Sequence, residues 1–328
     1  MKIGIFTALF HDKPIEEALD VIAEAGIQAV ELGAGAYPGT KHLDDAGGIE
    51  KLIKDEGARK KLLKMISDRG LTLDSFSVHG NPLHPDKAIA EDHHQAFENA
   101  VLLAEKLDIG VVNGFSGCPG DGPRAKNPNW VTCAWPDEYR DILDFQWKKV
   151  AIPYWKKQNK FLKAHNVKFA IEAHPGFIVY NPETLLKLRD AAGNQIGANF
   201  DPSHFWWQGI DPIAAVREVG KAGAIFHVHA KDTLVDPYNA SINGTLDTKS
   251  YSDVLNRSWS FRAVGYGHDV LWWKNFISTL RLVGYDDVLS IEHEDSLMST
   301  REGLYKAMET LKAAIITEQP GAMFWAKD

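Results

Sequence analysis

Eight short apolar runs recur along the chain, each rich in β-branched or aromatic residues and each closing on glycine or a polar residue. They begin at Lys2, Gln28, Thr72, Ile109, Lys168, Ile196, Ala224 and Asp287. Segments whose apolar residues recur at helical spacing lie between most of them, as at 15–26, 91–107, 147–166 and 301–315. A strand–helix alternation repeated eight times specifies an α/β fold with a parallel sheet. Eight such units in roughly 300 residues favour closure into one (β/α)8 TIM barrel spanning 1–328. The competing open, doubly wound sheet is disfavoured because no glycine-rich phosphate fingerprint follows the first run.

Two connections, at about 117–145 and 233–269, are far longer than the usual 2 to 6 residues of such units and are rich in Gly, Pro, Asn and aromatics. Both follow the C-terminal end of a strand, the catalytic face of this fold, so they are expected to act as lids or substrate-binding loops. The tail at about 318–328 carries Met323, Phe324 and Trp325 and is expected to dock on its own barrel or on a neighbouring subunit. With 45% hydrophobic and 24% charged residues the chain falls outside the disordered and fibrous classes. No apolar stretch approaches the ~20 residues of a membrane span, and no signal-peptide core opens the chain, which predicts a cytoplasmic protein. The net charge of −8 opposes a nucleic-acid partner. Cys118 and Cys133 fit neither a CxxC pair nor a disulfide framework and are expected to be ordinary loop thiols.

Chemistry gathers where four consecutive strands end. The interior of a strand should be apolar, yet the last four runs close on IEAH with Glu172, NFDPSH with Asp201, HVHAKD with His229 and SIEHED with Glu292. The steps of 29 residues (172 to 201) and 28 residues (201 to 229) are each near one β–α unit, and the step of 63 (229 to 292) contains the second long insertion. All four therefore belong at one rim of the barrel. Three carboxylates and an imidazole converging on a pocket repel unless a cation is present, so a divalent metal is expected. Oxygen-dominated ligation with one histidine suits Mn²⁺ first, then Mg²⁺ or Co²⁺, with Zn²⁺ competing on affinity.

On these residues the chain resembles the xylose-isomerase-like superfamily of sugar phosphate isomerases and epimerases, over nearly its whole length. The most specific elements are Asp201-Pro202-Ser203-His204 and His227-Val228-His229-Ala230-Lys231-Asp232. The likeness to the ketose 3-epimerase branch implies Glu172, Asp201, His229 and Glu292 as metal ligands, selecting His229 over His227. It also implies that Glu172 and Glu292 transfer the proton and that His204 contacts substrate, a role that competes with supporting a ligand. Proton removal beside a carbonyl gives an enediolate, which is reprotonated in epimerisation or relayed in aldose–ketose isomerisation.

Further residues are expected around the substrate. Glu31, His79 and Asn113 close earlier strands and should reach the pocket rim, while His227, Lys231 and Asp232 could fix hydroxyls or support the ligands. His174 and His293 are expected to be bystanders or supporting groups. Trp130, Trp135, Trp206, Trp207 and Trp259 fall where aromatic faces could line the cleft, with Trp135 and Trp206 the chosen substrate contacts. That placement favours a substrate larger than a free monosaccharide. It sustains an alternative: a lyase or deglycosidase expelling the C1 substituent of a 3-keto-glycoside, with keto-inositol dehydration similar in logic. An AP-endonuclease-like hydrolase fits less well, because VGYGHDV carries His268 and Asp269 in the wrong order. A non-enzymatic binding barrel is disfavoured by the intact quartet. The expected partner is a small, unphosphorylated sugar or glycoside, with no nucleic acid or membrane, in a homo-oligomer that leaves room for an accessory subunit.

Overall fold

In the computed structural model, which describes residues 1–325, the barrel closes. Its elements, in chain order, are β1 (Lys2–Phe6), α1 (Ile15–Glu24), β2 (Ala29–Gly33), α2 (Lys41–Asp45), α3 (Ile49–Lys54), α4 (Glu56–Ser67), β3 (Thr72–Val78), α5 (Lys87–Leu107) and β4 (Val111–Gly114). There follow α6 (Glu138–Phe145), α7 (Ile152–Ala164), β5 (Lys168–Glu172), α8 (Pro182–Ala192), β6 (Ile196–Phe200), α9 (Pro212–Lys221) and β7 (Ile225–Ala230). The chain ends through β8 (Asp232–Val235), α10 (Pro237–Asn243), β9 (Trp259–Arg262), α11 (Val270–Leu282), β10 (Val288–Ile291) and α12 (Thr300–Ala314). Strands β1 to β7 run in sequence order, all parallel, and β10 closes the ring between β7 and β1, with Lys2 opposite Val288 and Ser290 opposite His229.

The main apolar core lies between the sheet and its helical coat. Phe169 of β5 stacks on Trp155 of α7 at 5.2 Å, and the Trp155 indole donates to the Ser116 carbonyl at 3.0 Å, so this large ring is buried without stranding its N–H. Helices start where a side chain can cap them: Asp86, Asp211 and Asp269 accept from the first backbone N–H groups of α5, α9 and α11, and Asn181 and Thr184 form a reciprocal capping box at α8.

The two long connections differ. The first is irregular from 115 to 137, then turns helical in α6 and passes through a π-helical turn (Gln146–Ala151) into α7. The second is a built structure: β8 and β9 pair antiparallel, with Asp232 opposite Arg262 and Val235 opposite Trp259, and α10 lies between them. Trp207, Trp259 and Phe261 form a small apolar cluster of their own, with Val235 against it. In the tail Gln319 donates to Asp286 at 2.9 Å, but Met323, Phe324 and Trp325 are all exposed and are not packed on the barrel; residues 326–328 lie outside the described residues. Cys118 is buried and Cys133 exposed, both as free thiols. Among the described residues no helix is long and apolar enough to cross a membrane.

Candidate metal centre

Glu172 is the last residue of β5, Asp201 follows β6, His229 lies in β7, and Glu292 follows β10. One ligand atom from each of these four lies within 4.8 Å of the others, at the C-terminal rim of adjoining strands. Two of them, Glu172 and Glu292, line a cavity of about 470 Å³ together with His79, His174, Lys231 and several aromatic rings.

Each ligand candidate is held from behind. Glu172 accepts from His204 Nε2 at 3.0 Å on one oxygen and from Asn199 Nδ2 at 3.2 Å on the other, from which His79 Nε2 also lies 3.2 Å. Burial opposes ionisation of this carboxyl, but hydrogen bonds from His204, His229 and His79 outweigh it and hold Glu172 well below the usual range. Burial likewise opposes charge on Glu292, and the Lys231 ammonium and His229 overcome it. Asp201 behaves differently. Its Oδ1 accepts from the Ser203 N–H at 2.8 Å, its Oδ2 has no hydrogen-bond partner, and burial pushes its carboxyl up to about 6.

His229 faces carboxylates on both sides. Its Nε2 lies 3.1 Å from both oxygens of Glu31, while Nδ1 lies 2.9 Å from Glu292 and 3.2 Å from Glu172. Burial opposes charge here too, yet Glu31 and Glu292 raise this imidazole well above its ordinary pKa. With the Nε2 proton given to Glu31, Nδ1 presents a lone pair to two carboxylates, an arrangement that is stable only around a proton or a metal. The buried Oδ2 of Asp201, without a hydrogen-bond partner, points to the same conclusion, so this donor set fits a divalent cation.

Below the quartet the barrel interior is polar. Glu31 accepts from Ser77 and from Asn113 Nδ2 at 2.9 Å on one oxygen and from Ser290 at 2.7 Å on the other; burial opposes its charge, but the neighbouring His229 and His227 rings and the hydrogen bonds outweigh it and hold Glu31 well below the carboxylate range. His227 bonds Asn199 at 2.9 Å and Asp74 at 3.1 Å. Glu31 and Asn113, expected at the rim, are therefore floor groups, and His227 supports the site from beneath. Glu31, His227 and His229 also come together closely enough to hold an ion, as do Glu172, His174 and His204, but the first trio is already satisfied within the floor and the second has a single carboxylate.

The other expected contacts divide. His79 and Lys231 line the cavity, and Lys231 bridges Glu292 at 3.1 Å and Glu294. Asp232 is the next residue along, so its side chain leaves the opposite face. It accepts from the backbone N–H groups of Gly265, Gly267 and His268 and bonds the His268 ring at 2.8 Å. A side chain on Gly267 would collide with the Thr233 carbonyl and with Asp232, so glycine is what lets this staple close. Trp206 stacks on His268 at 4.0 Å, beside Trp272 of α11, and Trp135 is 75% exposed on its loop. Neither lines the cavity, and nor, among the described residues, does any other tryptophan. The rings that do are Tyr37, Phe115, Tyr251 and Phe261, which the residue pattern did not single out. His174, expected to be peripheral, lines the cavity and is kept neutral, lowered to about 3 by burial and then by His204. His293 lies to the side, near Gly303.

Residues 19–314 match the family model described as xylose isomerase-like TIM barrel. The chain is 40% identical over 318 residues to the uncharacterized protein YfiH of Bacillus subtilis (strain 168), covering 96% of this chain and 99% of that one. Among solved structures, a D-tagatose 3-epimerase-like protein superposes with a TM-score of 0.63 at 19% identity, covering 96% of this chain and 98% of its own. The IOLI protein, with a zinc atom bound, superposes with a TM-score of 0.63 at 16% identity over 96% and 98%.

Proposed function

Because the chain belongs to the xylose isomerase-like TIM barrel family, we propose that it is a metal-dependent isomerase or epimerase moving a proton on a ketose or keto-sugar. The observation that carries this reading is the convergence of Glu172, Asp201, His229 and Glu292 on one point, with Glu172 and Glu292 lining a substrate-sized cavity. These four would hold the ion, with Mn²⁺ favoured by the three carboxylates. When bound, a divalent cation supplies Lewis-acid stabilisation of the negative charge that proton removal leaves on a carbonyl oxygen.

The chain's own groups do the rest. Glu172 and Glu292 are both kept ionised, so either can take a proton from carbon. His204, 3.0 Å from Glu172 and 3.3 Å from Asp201, orients the first carboxylate and is placed to donate to a substrate oxygen. Lys231 keeps Glu292 charged between turnovers, and His79 does the same for Glu172. Inversion follows when the opposite carboxylate has first taken a proton from solvent and delivers it to the other face of the carbon, while the proton first removed is released to solvent from its partner.

One observation favours a second outcome of the same proton removal. The cavity's volume of about 470 Å³ lies within the ~300–1,000 Å³ of sites for drug-sized ligands, and Tyr37, Phe115, Tyr251 and Phe261 add aromatic rings to its lining. A substrate bearing a C1 substituent would fill that space, and expulsion of the substituent would make the reaction an elimination. Incubating Mn²⁺-loaded protein in D₂O separates the two: deuterium at C3 of a free ketose marks the epimerase, release of the aglycone from a 3-keto-glucoside the lyase. Glu172→Gln and Glu292→Gln should each lower exchange at least ~100-fold, the usual contribution of a general acid or base. Near-normal turnover in either variant refutes the pair.

A further inference from the structure

We propose that Arg257 forms a subsite that binds an oxyanion substituent of the substrate, a carboxylate or a phosphate, in the cavity that Glu172 and Glu292 also line. The inference rests on this cavity being the substrate site.

Arg257 is 3% exposed and lines the same cavity as Glu172, Glu292 and Lys231. Its guanidinium carbon lies 4.4 Å from the Tyr251 ring centre and 4.5 Å from that of Trp259, so the group is packed between two aromatic rings. Nε donates to the Trp259 carbonyl at 3.1 Å and Nη1 to that of Lys249. Nη2 is buried and has no partner. Among the described residues no carboxylate forms an ion pair with Arg257, whereas Lys231 in the same cavity has two.

A buried guanidinium with an unspent donor is costly, and natural structures retain such groups where a ligand completes them. Both backbone anchors fix the plane of the group before a ligand arrives, so little side-chain freedom is lost on binding. The pairing fits: Lys231 and Arg262 each have carboxylate partners, whereas among the described residues no carboxylate stands within ion-pair distance of Arg257. A neutral sugar hydroxyl would satisfy the N–H groups and leave that charge buried and unpaired; a carboxylate or phosphate satisfies both.

The test is equilibrium binding, which needs no turnover and so stands apart from the deuterium experiment. D-glucose, D-glucuronate and D-glucose 6-phosphate are titrated calorimetrically into the purified protein and into Arg257→Gln. At least one acid should bind about tenfold or more tightly than glucose, and Arg257→Gln should remove that preference, so that the acid and glucose bind alike. The two acids tell carboxylate from phosphate. Preference that survives Arg257→Gln would come from direct ligation of a metal and overturns the proposal, as does equal binding, or no binding, of all three. Since Arg257 also anchors two backbone carbonyls, a second arm uses the unaltered protein: added NaCl should weaken the acid and not the sugar. Salt-independent binding of the acid counts against the subsite.

Discussion

His229 decides whether the quartet can serve as ligands, and Glu31 decides what His229 presents. One carboxylate approaches Nε2 of this imidazole and two approach Nδ1, so without a metal it carries an extra proton, as its raised pKa indicates. Metal binding must expel the proton at Nδ1 while the one at Nε2 stays with Glu31. Glu31→Gln removes the negative charge that favours that arrangement but keeps the size of the side chain. Mn²⁺ affinity should fall 10- to 100-fold, roughly the usual consequence of altering a ligand's supporting partner, and should fall further as the pH is lowered because the proton at Nδ1 competes. Calorimetric titration with Mn²⁺ at two pH values reads both effects. Unchanged affinity would reduce Glu31 to a structural group of the barrel floor.

The excursion between β7 and α11 contributes Tyr251, Arg257 and Phe261 to the cavity lining. Trp207 and Trp259 stack at 4.5 Å with their planes 7° apart, in a cluster separate from the main core. Trp207→Ala should therefore loosen the excursion without unfolding the barrel. Hydrogen exchange and proteolysis should increase within 236–262, KM should rise, and the melting temperature should change little. A loss of roughly 3–5 kcal/mol in global stability, as for a tryptophan removed from a main core, would contradict this division. The same element marks how far the sequence could be read. The eight barrel strands were legible because alternation and helical spacing are local, and the four polar strand ends were legible because each breaks an apolar run. Depth was not. Asn113 ends its strand much as Glu172 does, yet it pairs with Ala170, two residues short of Glu172, which sets it one inward layer lower. That register depends on how neighbouring strands slide past each other, which no single strand encodes. The β8–β9 hairpin was hidden for a related reason: its strands are four residues each and are separated by a long excursion, so only tertiary pairing identifies them.

At the scale of the whole molecule, the metal-free site works against the barrel that carries it. Burial raises Asp201 from its ordinary 3.8 to about 6, so the folded chain binds this proton more tightly than the unfolded chain does. The stabilising contribution is fully present below about 3.8 and is lost as the pH rises through about 6; at neutral pH the folded protein holds a buried carboxylate against its preference. Asn at this position keeps an oxygen for the Ser203 N–H and carries no charge. Metal-free Asp201→Asn should accordingly be more stable than the parent chain at pH 7.5, by at most about 3 kcal/mol for a shift of this size, and the gain should vanish below pH 4. Mn²⁺ should reverse the order. A ligand held only by the folded state adds about 2.7 kcal/mol at a hundredfold excess over its Kd, and the variant, lacking one carboxylate, should gain far less. Scanning calorimetry of both proteins with EDTA and with Mn²⁺ tests the whole scheme: if Asp201→Asn melts lower than the parent in EDTA at pH 7.5, or is stabilised by Mn²⁺ as strongly, Asp201 is not a strained ligand waiting for its metal.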